Sequence, residues 1–272
     1  MRWFITGSSA GFGRVLAETL LARGETVVAT ARDPLTLADL VGKYPDTALA
    51  LPLDVTDAGQ VRAAVDAAVA AGPIDVLVNN AGHGLLGALE ELSDDEIHEV
   101  LAVNLLGALA VTRAVLPHMR AQRSGHVVQM SSVGGVIGNP GHAIYATSKF
   151  ALEGASEALA GEVAPFGIRV TIVEPGPFRT DFLGRSLRRA TPIPDYEDGP
   201  AGALRARFTT QHGQQPGDPV RAVEAIIDAV HSPSAPLRLP LGRQAVERIR
   251  AKLQGQLADL EVCAEVAIAA DR

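Results

Sequence analysis

Only one cysteine, Cys263, stands among the 272 residues. It can close no disulfide within the chain and cannot hold a metal by itself, which fits a reducing compartment. Basic residues are few and scattered. The 24 Lys and Arg against 31 Asp and Glu leave a net charge of −7, and no Lys/Arg stripe is present to neutralise a nucleic-acid backbone. Nucleic acid is therefore not an expected partner. No run of about 18 uninterrupted apolar residues occurs, and the opening MRWFITGSSAGFG lacks the long apolar segment of a secretory signal. A cytoplasmic protein without a membrane span is the expectation. Fixed-period repeats are also missing, as are the GxSxG and HExxH signatures of serine and zinc hydrolases.

What is present is a regular alternation. Short β-branched or aliphatic runs alternate with longer Ala/Leu/Val stretches of helical period, the pattern of βαβ units around a parallel sheet buried on both faces. Strands are predicted at Trp3–Ile5, Thr26–Thr30, Ala48–Leu53, Val76–Val78, His126–Met130, Arg169–Val173 and Leu237–Leu239. Helices are predicted at Gly13–Arg23, Ala58–Ala71, Asp94–Arg123 with a kink at Pro117, Ala143–Val163, Pro219–His231 and Gly242–Leu260. Ser93 with Glu96 reads as a capping box. The expected fold is a single α/β domain over residues 1–272, a doubly wound Rossmann fold with a seven-stranded parallel sheet and helices on both faces.

After the first strand comes TGSSAGFG, residues 6–13, running into an amphipathic helix. Such a loop suits a pyrophosphate: Gly7 permits a tight turn, Gly11 lets the backbone approach, Gly13 lets the helix pack closely, and the helix N-terminus supplies N–H donors. A plain strand-to-helix turn would also use these glycines. Further on, Tyr145 and Lys149 in YATSK share one helical face. Taken alone they match an ordinary solvated pair.

Together with Asn79-Asn80-Ala81-Gly82, Asn104 in VNLLG, Ser131-Ser132 and Pro175-Gly176, these motifs resemble the short-chain dehydrogenase/reductase family. The resemblance covers about residues 3–183 and the seventh strand. It implies an oxidoreductase that moves a hydride between a nicotinamide and a carbonyl or secondary alcohol carbon. The protein must then move one proton at the oxygen. A phenol is a poor base at neutral pH, and a nearby ammonium lowers its pKa. The resemblance makes Tyr145 the general acid in reduction and base in oxidation. Lys149 is its partner and the holder of the nicotinamide ribose. Ser132, 13 residues before Tyr145, positions the substrate oxygen, and Asn104 holds a water near Lys149. Ser131 is a bystander tied to backbone. The implied cofactor contacts are Ser9 and Phe12 with the three loop glycines, then Asp54, Val55, Asn79, Asn80, Ala81 and Gly82 along the adenosine half. Pro175, Gly176, Phe178 and Thr180 follow at the nicotinamide. The stretch DVTD also reads as a helix cap at Thr56 or Asp57.

Binding NAD(H) usually needs an acid at the end of the second strand, whereas NADP(H) needs its absence and a cation. Ala31 occupies that position and Arg32 follows it, which favours NADP(H). Arg14 is a second candidate cation. Asp33 is either a competing carboxylate or a turn residue before Pro34. Residues 184–219, broken by Pro192, Pro194, Gly199, Gly202 and Gly213, read as a substrate lid. With His83, Gly138, His142, Phe178 and Phe182 they shape the pocket for an apolar carbonyl or alcohol, and His142 is expected to be solvated. In the carboxy-terminal extension, 242–272, Val246, Ile249, Leu253, Leu257 and Leu260 form a seam expected to pack on its own domain, with a subunit contact or pocket cover as the alternative. The resemblance also implies a homodimer or homotetramer through helices 94–123 and 143–163. A catalytically silent dinucleotide-sensing regulator is the alternative function, and the intact Ser132, Tyr145 and Lys149 count against it.

Overall fold

A computed structural model describes residues 1–271; the last residue of the predicted extension, 272, lies outside the described residues. Strands β1 (Arg2–Ile5), β2 (Thr26–Ala31), β3 (Ala48–Pro52) and β4 (Val76–Asn79) build one half of the sheet. A short β5 (Gly84–Leu86) precedes β6 (Gly125–Met130) and β7 (Ile168–Pro175), and β8 (Leu187–Arg189) precedes β9 (Arg238–Leu241). Seven strands form one parallel sheet in the order β3-β2-β1-β4-β6-β7-β9. The predicted doubly wound architecture is present.

The helices are α1 (Gly11–Ala22), α2 (Ala38–Lys43), α3 (Ala58–Ala70), α4 (Asp94–Leu101), α5 (Ala108–Gln122), α6 (Ala143–Val163), α7 (Pro200–Gln211), α8 (Pro219–His231) and α9 (Arg243–Ala269). Strand side chains alternate between faces, so each strand feeds two cores. Trp3, Ile5, Val27, Ala29, Val76 and Val78 pack against α1 and α8 on one side. Phe4, Val28, Leu77 and Val127 pack against α3 and α5 on the other. With both faces covered, apolar runs replace the half-polar alternation of an exposed sheet. The direction in which successive strands are added reverses between β1 and β4, which opens a crevice beyond their carboxyl ends.

The predicted helix 94–123 is present over Asp94–Gln122, with Pro117 inside its last segment α5, and its irregularity lies upstream of that proline. Between α4 and α5, Ala102–Gly107 winds as a π-helix, and its wider turn carries Asn104 inward. The capping box at Ser93 is present, with Ser93 Oγ accepting from Glu96 N and Glu96 receiving Ser93 N at 2.9 Å. By length and composition Asp94–Gln122 could cross a membrane, with a mean hydropathy of 1.8. In this fold its apolar residues Val111, Val115 and Met119 lie in the core.

Two further differences concern the carboxy-terminal third. The seam on α9 packs on its own domain only at its start, through Ala245 and Ile249. Leu253, Leu257 and Leu260 are 55–59% exposed, because the helix runs on past the body to Ala269. Residues 184–219 hold α7 and β8, and β8 pairs in parallel with β5. Glu91 anchors this segment to the body. Its carboxylate is buried, accepts from Ala88 N at 2.6 Å and Ile193 N at 2.9 Å, and forms a bidentate pair with Arg205 at 3.1 Å. Arg205 foremost holds its pKa at about 2, against 4.5 for a free glutamate. The stabilisation is therefore present above about pH 4.5 and is lost as pH falls toward 2. Glu91→Gln is expected to destabilise the protein by about 3 kcal/mol at neutral pH. Thermal unfolding of both proteins should show the gap closing as pH drops below about 4; a gap independent of pH would reject this anchor.

Candidate active site

The loop after β1 is shaped as the sequence predicts. Gly7 has φ +69° and Gly11 φ +55°, conformations that side chains with a Cβ rarely adopt. A Cβ on Gly7 would lie 2.9 Å from Ala81 Cα, and one on Gly13 would lie 2.4 Å from Gly7 O and from Asn80 Nδ2. Gly13 therefore lets the helix close on the loop itself. At Gly11 the only neighbour is Thr180 Cβ at 3.9 Å, so its backbone faces open space. Helix α1 begins at Ala10 with no side-chain cap and no acidic residue in its first turn. Its N–H groups and positive dipole end are left for an anion, and these residues fit a pyrophosphate.

The loop borders a cleft of about 690 Å³. Along one wall lie Ser9, Phe12, Arg32, Asp54, Val55 and Asn80, followed by Ala81 and Gly82. Ser132, Tyr145, Lys149, Pro175, Gly176, Phe178 and Thr180 also line it. Asn80 acts on the loop: its amide donates to Thr6 O and Gly7 O, both at 2.9 Å, fixing the turn beneath the cleft. Asn79 points the other way and donates to Thr112 in the core. Asp54 accepts from Thr56 N and Oγ1 at 2.9 and 2.7 Å. The helix cap is Asp57, which accepts from Gly59 N and Gln60 N. Thr180 caps the following turn at Phe182 N, and Phe178 packs against Phe12 with ring centroids 5.4 Å apart.

Asp33 is occupied by its own turn, accepting from Leu35 N at 3.0 Å, and does not line the cleft. Arg32 does, and no carboxylate pairs with it among the described residues. Arg14 is unavailable as a second cation: Glu18 at 2.6 Å and Asp39 hold it between them.

Tyr145 and Lys149 lie one turn apart on α6, both buried. Burial pushes the phenol up to about 12, and the Ser132 hydroxyl acts against this. Burial also pulls Lys149 down to about 8, opposed by the charge of Glu153 one turn further on. Lys149 Nζ donates to Met130 O at 2.7 Å and sits 5.8 Å from the Tyr145 ring centre. The expected lowering of the phenol by the ammonium is not seen here: desolvation raises it, and the Ser132 hydroxyl is what opposes that rise. Ser132, two residues past β6, is extended and caps the following turn by accepting from Gly134 N at 3.0 Å. Asn104 is locked in place: Nδ2 donates to His83 O and Ser148 Oγ, and Oδ1 accepts from His83 N at 2.9 Å. A Cβ on Gly82 would lie 3.1 Å from Asn104 Oδ1 and 3.7 Å from Lys149 Nζ, so only glycine leaves the space between them clear.

Three features differ from the sequence reading or were missed by it. His142 is not solvated; it is buried and stacked on Tyr145, centroids 4.3 Å apart and planes 14° apart. Burial pushes its pKa to about 4, so the ring is neutral. Ser131 is not tied to backbone through its hydroxyl, which is buried and faces the Glu153 carboxylate. Glu153, one turn from Lys149, is buried and carries a raised pKa, desolvation being the main cause. Its i+4 spacing from Lys149 is the signal in the sequence.

This arrangement, a glycine-turned anion loop at a switch point with a buried Tyr–Lys pair across the cleft, is that of a nicotinamide-dependent oxidoreductase. The family model for short chain dehydrogenase matches residues 2–190, and the chain belongs to that family. Oxidoreductase BOA17 of Botryotinia fuckeliana is 41% identical over 247 residues, covering 90% of each chain. A 3-ketodihydrosphingosine reductase of Bacteroides thetaiotaomicron is 38% identical, covering 94% of this chain and 92% of its own. A solved short-chain dehydrogenase from Streptomyces avermitilis superposes with a TM-score of 0.92 at 42% identity, covering 99% of both chains. The fit of the loop to a dinucleotide can be tested at Gly13. Gly13→Ala should weaken dinucleotide binding by about tenfold, through the strain of a Cβ overlapping Gly7 O. Fluorescence titration with the reduced cofactor measures it, and unchanged affinity would show that the loop does not carry the pyrophosphate.

Proposed function

We propose that the protein is an NADP(H)-dependent reductase of a carbonyl on a largely apolar substrate, with Tyr145 as the proton donor. The observation that carries this reading is the buried phenol of Tyr145, flanked by Ser132 and Lys149, facing the same cleft as the glycine loop. The nicotinamide supplies the hydride when bound. Ser132 holds the substrate oxygen against the phenol, and Tyr145 gives its proton to that oxygen. Lys149 steadies the ribose and the charge left on the phenolate. Asn104, anchored on His83 and Ser148, keeps the path behind Lys149 open for proton return. Burial raises the Tyr145 phenol to about 12, so it holds its proton at neutral pH, the form a donor to the substrate oxygen needs.

Arg32 supports NADP(H), because it faces the cleft with no acid beside it while Asp33 caps its own turn. Phe182, Leu183 and Phe208 support an apolar substrate body, as does a relative named for reducing 3-ketodihydrosphingosine. Leu106 and Phe150, 58% and 43% exposed on the helices at 94–122 and 143–163, support assembly into a homo-oligomer through those helices. Incubating the protein with a panel of ketones and following NADPH absorbance tests the reading. Loss of NADPH with none of them, at enzyme concentrations that bind the cofactor, would favour the catalytically silent regulator.

A further inference from the structure

The charge lining the cleft is opposite to that of the whole molecule. The chain carries −7, yet the cleft is lined by Lys149 and five arginines against only Asp54, Glu99 and Asp181. Those acids are accounted for. Asp181 pairs with Arg185 at 3.1 Å, Glu99 pairs with Arg188, and Asp54 is held by Thr56. Arg32, Arg207 and Arg248 are left with no carboxylate among the described residues. Arg32 lies beside the cofactor loop. The other two lie at the opposite end, above Tyr145.

Their position follows from a chain of contacts. The Tyr145 ring stacks on His142, and His142 meets the edge of Phe208 at 5.6 Å. Phe208 is next to Arg207 on α7. Arg248, on α9, donates to Asn139 Oδ1 at 2.7 Å, and Asn139 lies three residues before His142. Lid helix and carboxy-terminal helix therefore bring two guanidinium groups to the same rim. Burial first, and the charge of Arg207 second, hold the Arg248 pKa below its ordinary value. Arg248 is half-buried and Arg207 exposed beside it, and two like charges with no acid between them among the described residues favour an anion there. Around the phenol the contacts are aromatic: Phe182 at 5.5 Å, and the neutral His142 ring with Phe208 beyond it, with Leu183 also lining the cleft.

We infer that Arg207 and Arg248 form an anion site for the substrate, which is an amphiphilic oxo compound with its carbonyl at Tyr145 and a carboxylate or phosphate at the lid rim. This rests on the reductase reading for the carbonyl end alone. Arginine fits because its planar fork binds either oxyanion with paired hydrogen bonds. The apolar body spans Phe182, Leu183 and Phe208.

The test uses the full chain saturated with NADPH and three inert probes, decanoate, decyl phosphate and decanol, titrated by calorimetry. At least one anion is expected to bind about tenfold tighter than decanol or better, and their order assigns carboxylate or phosphate. Arg207→Met and Arg248→Met should each remove most of that margin, while Arg207→Lys should keep part of it. Decanol binding as tightly as both anions would overturn the inference, as would a margin that survives in both Met variants. Should a variant not fold, the wild-type comparison and its loss of margin at high salt decide alone. Binding is read without turnover, so the two readings fail separately. Anion binding with no oxo acid reduced would reject the reductase and keep the site. Neutral ketones reduced in preference to matched oxo acids would do the reverse.

Discussion

Tyr145→Phe is expected to lower kcat for carbonyl reduction by about a thousandfold, the range of a positioned general acid, while cofactor binding survives. The substitution removes one oxygen and leaves the ring. That ring is held by the His142 stack at 4.3 Å and by Phe182 at 5.5 Å, so the site keeps its shape. The lost hydroxyl can be worth at most about 1 kcal/mol to the bound nucleotide as a neutral hydrogen bond, about fivefold in Kd. Stopped-flow reduction and fluorescence titration of the same preparation separate the two effects. A variant that retains a tenth of the activity would rule out Tyr145 as the proton donor. Equal losses in binding and turnover would instead assign it to cofactor placement.

The burial of Tyr145 sharpens the direction of this prediction. A surface Tyr–Lys pair would show the phenol lowered by the ammonium. In this fold desolvation dominates both groups, lifting the phenol to about 12 and dropping the lysine to about 8. The Tyr145 phenol thus keeps its proton over the whole neutral range. Lys149 keeps its charge below about pH 8 and loses it above, so any support it gives a phenolate fades as pH rises through that value.

The legible parts of this molecule were those in which local chemistry and fold agree. Strands such as Trp3–Ile5 and Val76–Val78 are short and apolar because both faces of the sheet are covered, glycines at 7 and 13 are forced by close approach, and Gly11 by its positive φ. Ser93 announces its helix through its own cap. The features that escaped are set by packing at a distance. Nothing near Asn104 signals a π-turn; the turn exists because the amide must reach His83 and Ser148. His142 looks like a solvated loop residue until Phe208, 66 positions later, closes over it. The seam on α9 has the right period, yet periodicity does not say where the body ends, and Leu253 lies beyond it.

Arg32→Ala should weaken NADPH by about ten- to a hundredfold and NADH by less than about threefold, the worth of a charge-assisted contact to one phosphate. The argument is geometric as well as electrostatic. Arg32 directly follows the last residue of β2, lines the cleft and has no acid to satisfy it among the described residues. Arg14, the other cation near the loop, is bound by Glu18 and Asp39 and cannot move to replace it without breaking both pairs. Asp33, the one carboxylate that could grip a free ribose, is turned to Leu35 N. A double substitution therefore reads out the same logic in reverse. Ala31→Asp with Arg32→Ala places an acid at the end of β2 and removes the cation, and should move the preference toward NADH by a further factor of about ten. The kcat/KM ratio for the two cofactors measures both steps. If Arg32→Ala depresses the two cofactors equally, the 2′-phosphate is not held here and the preference for NADP(H) has no residue to carry it.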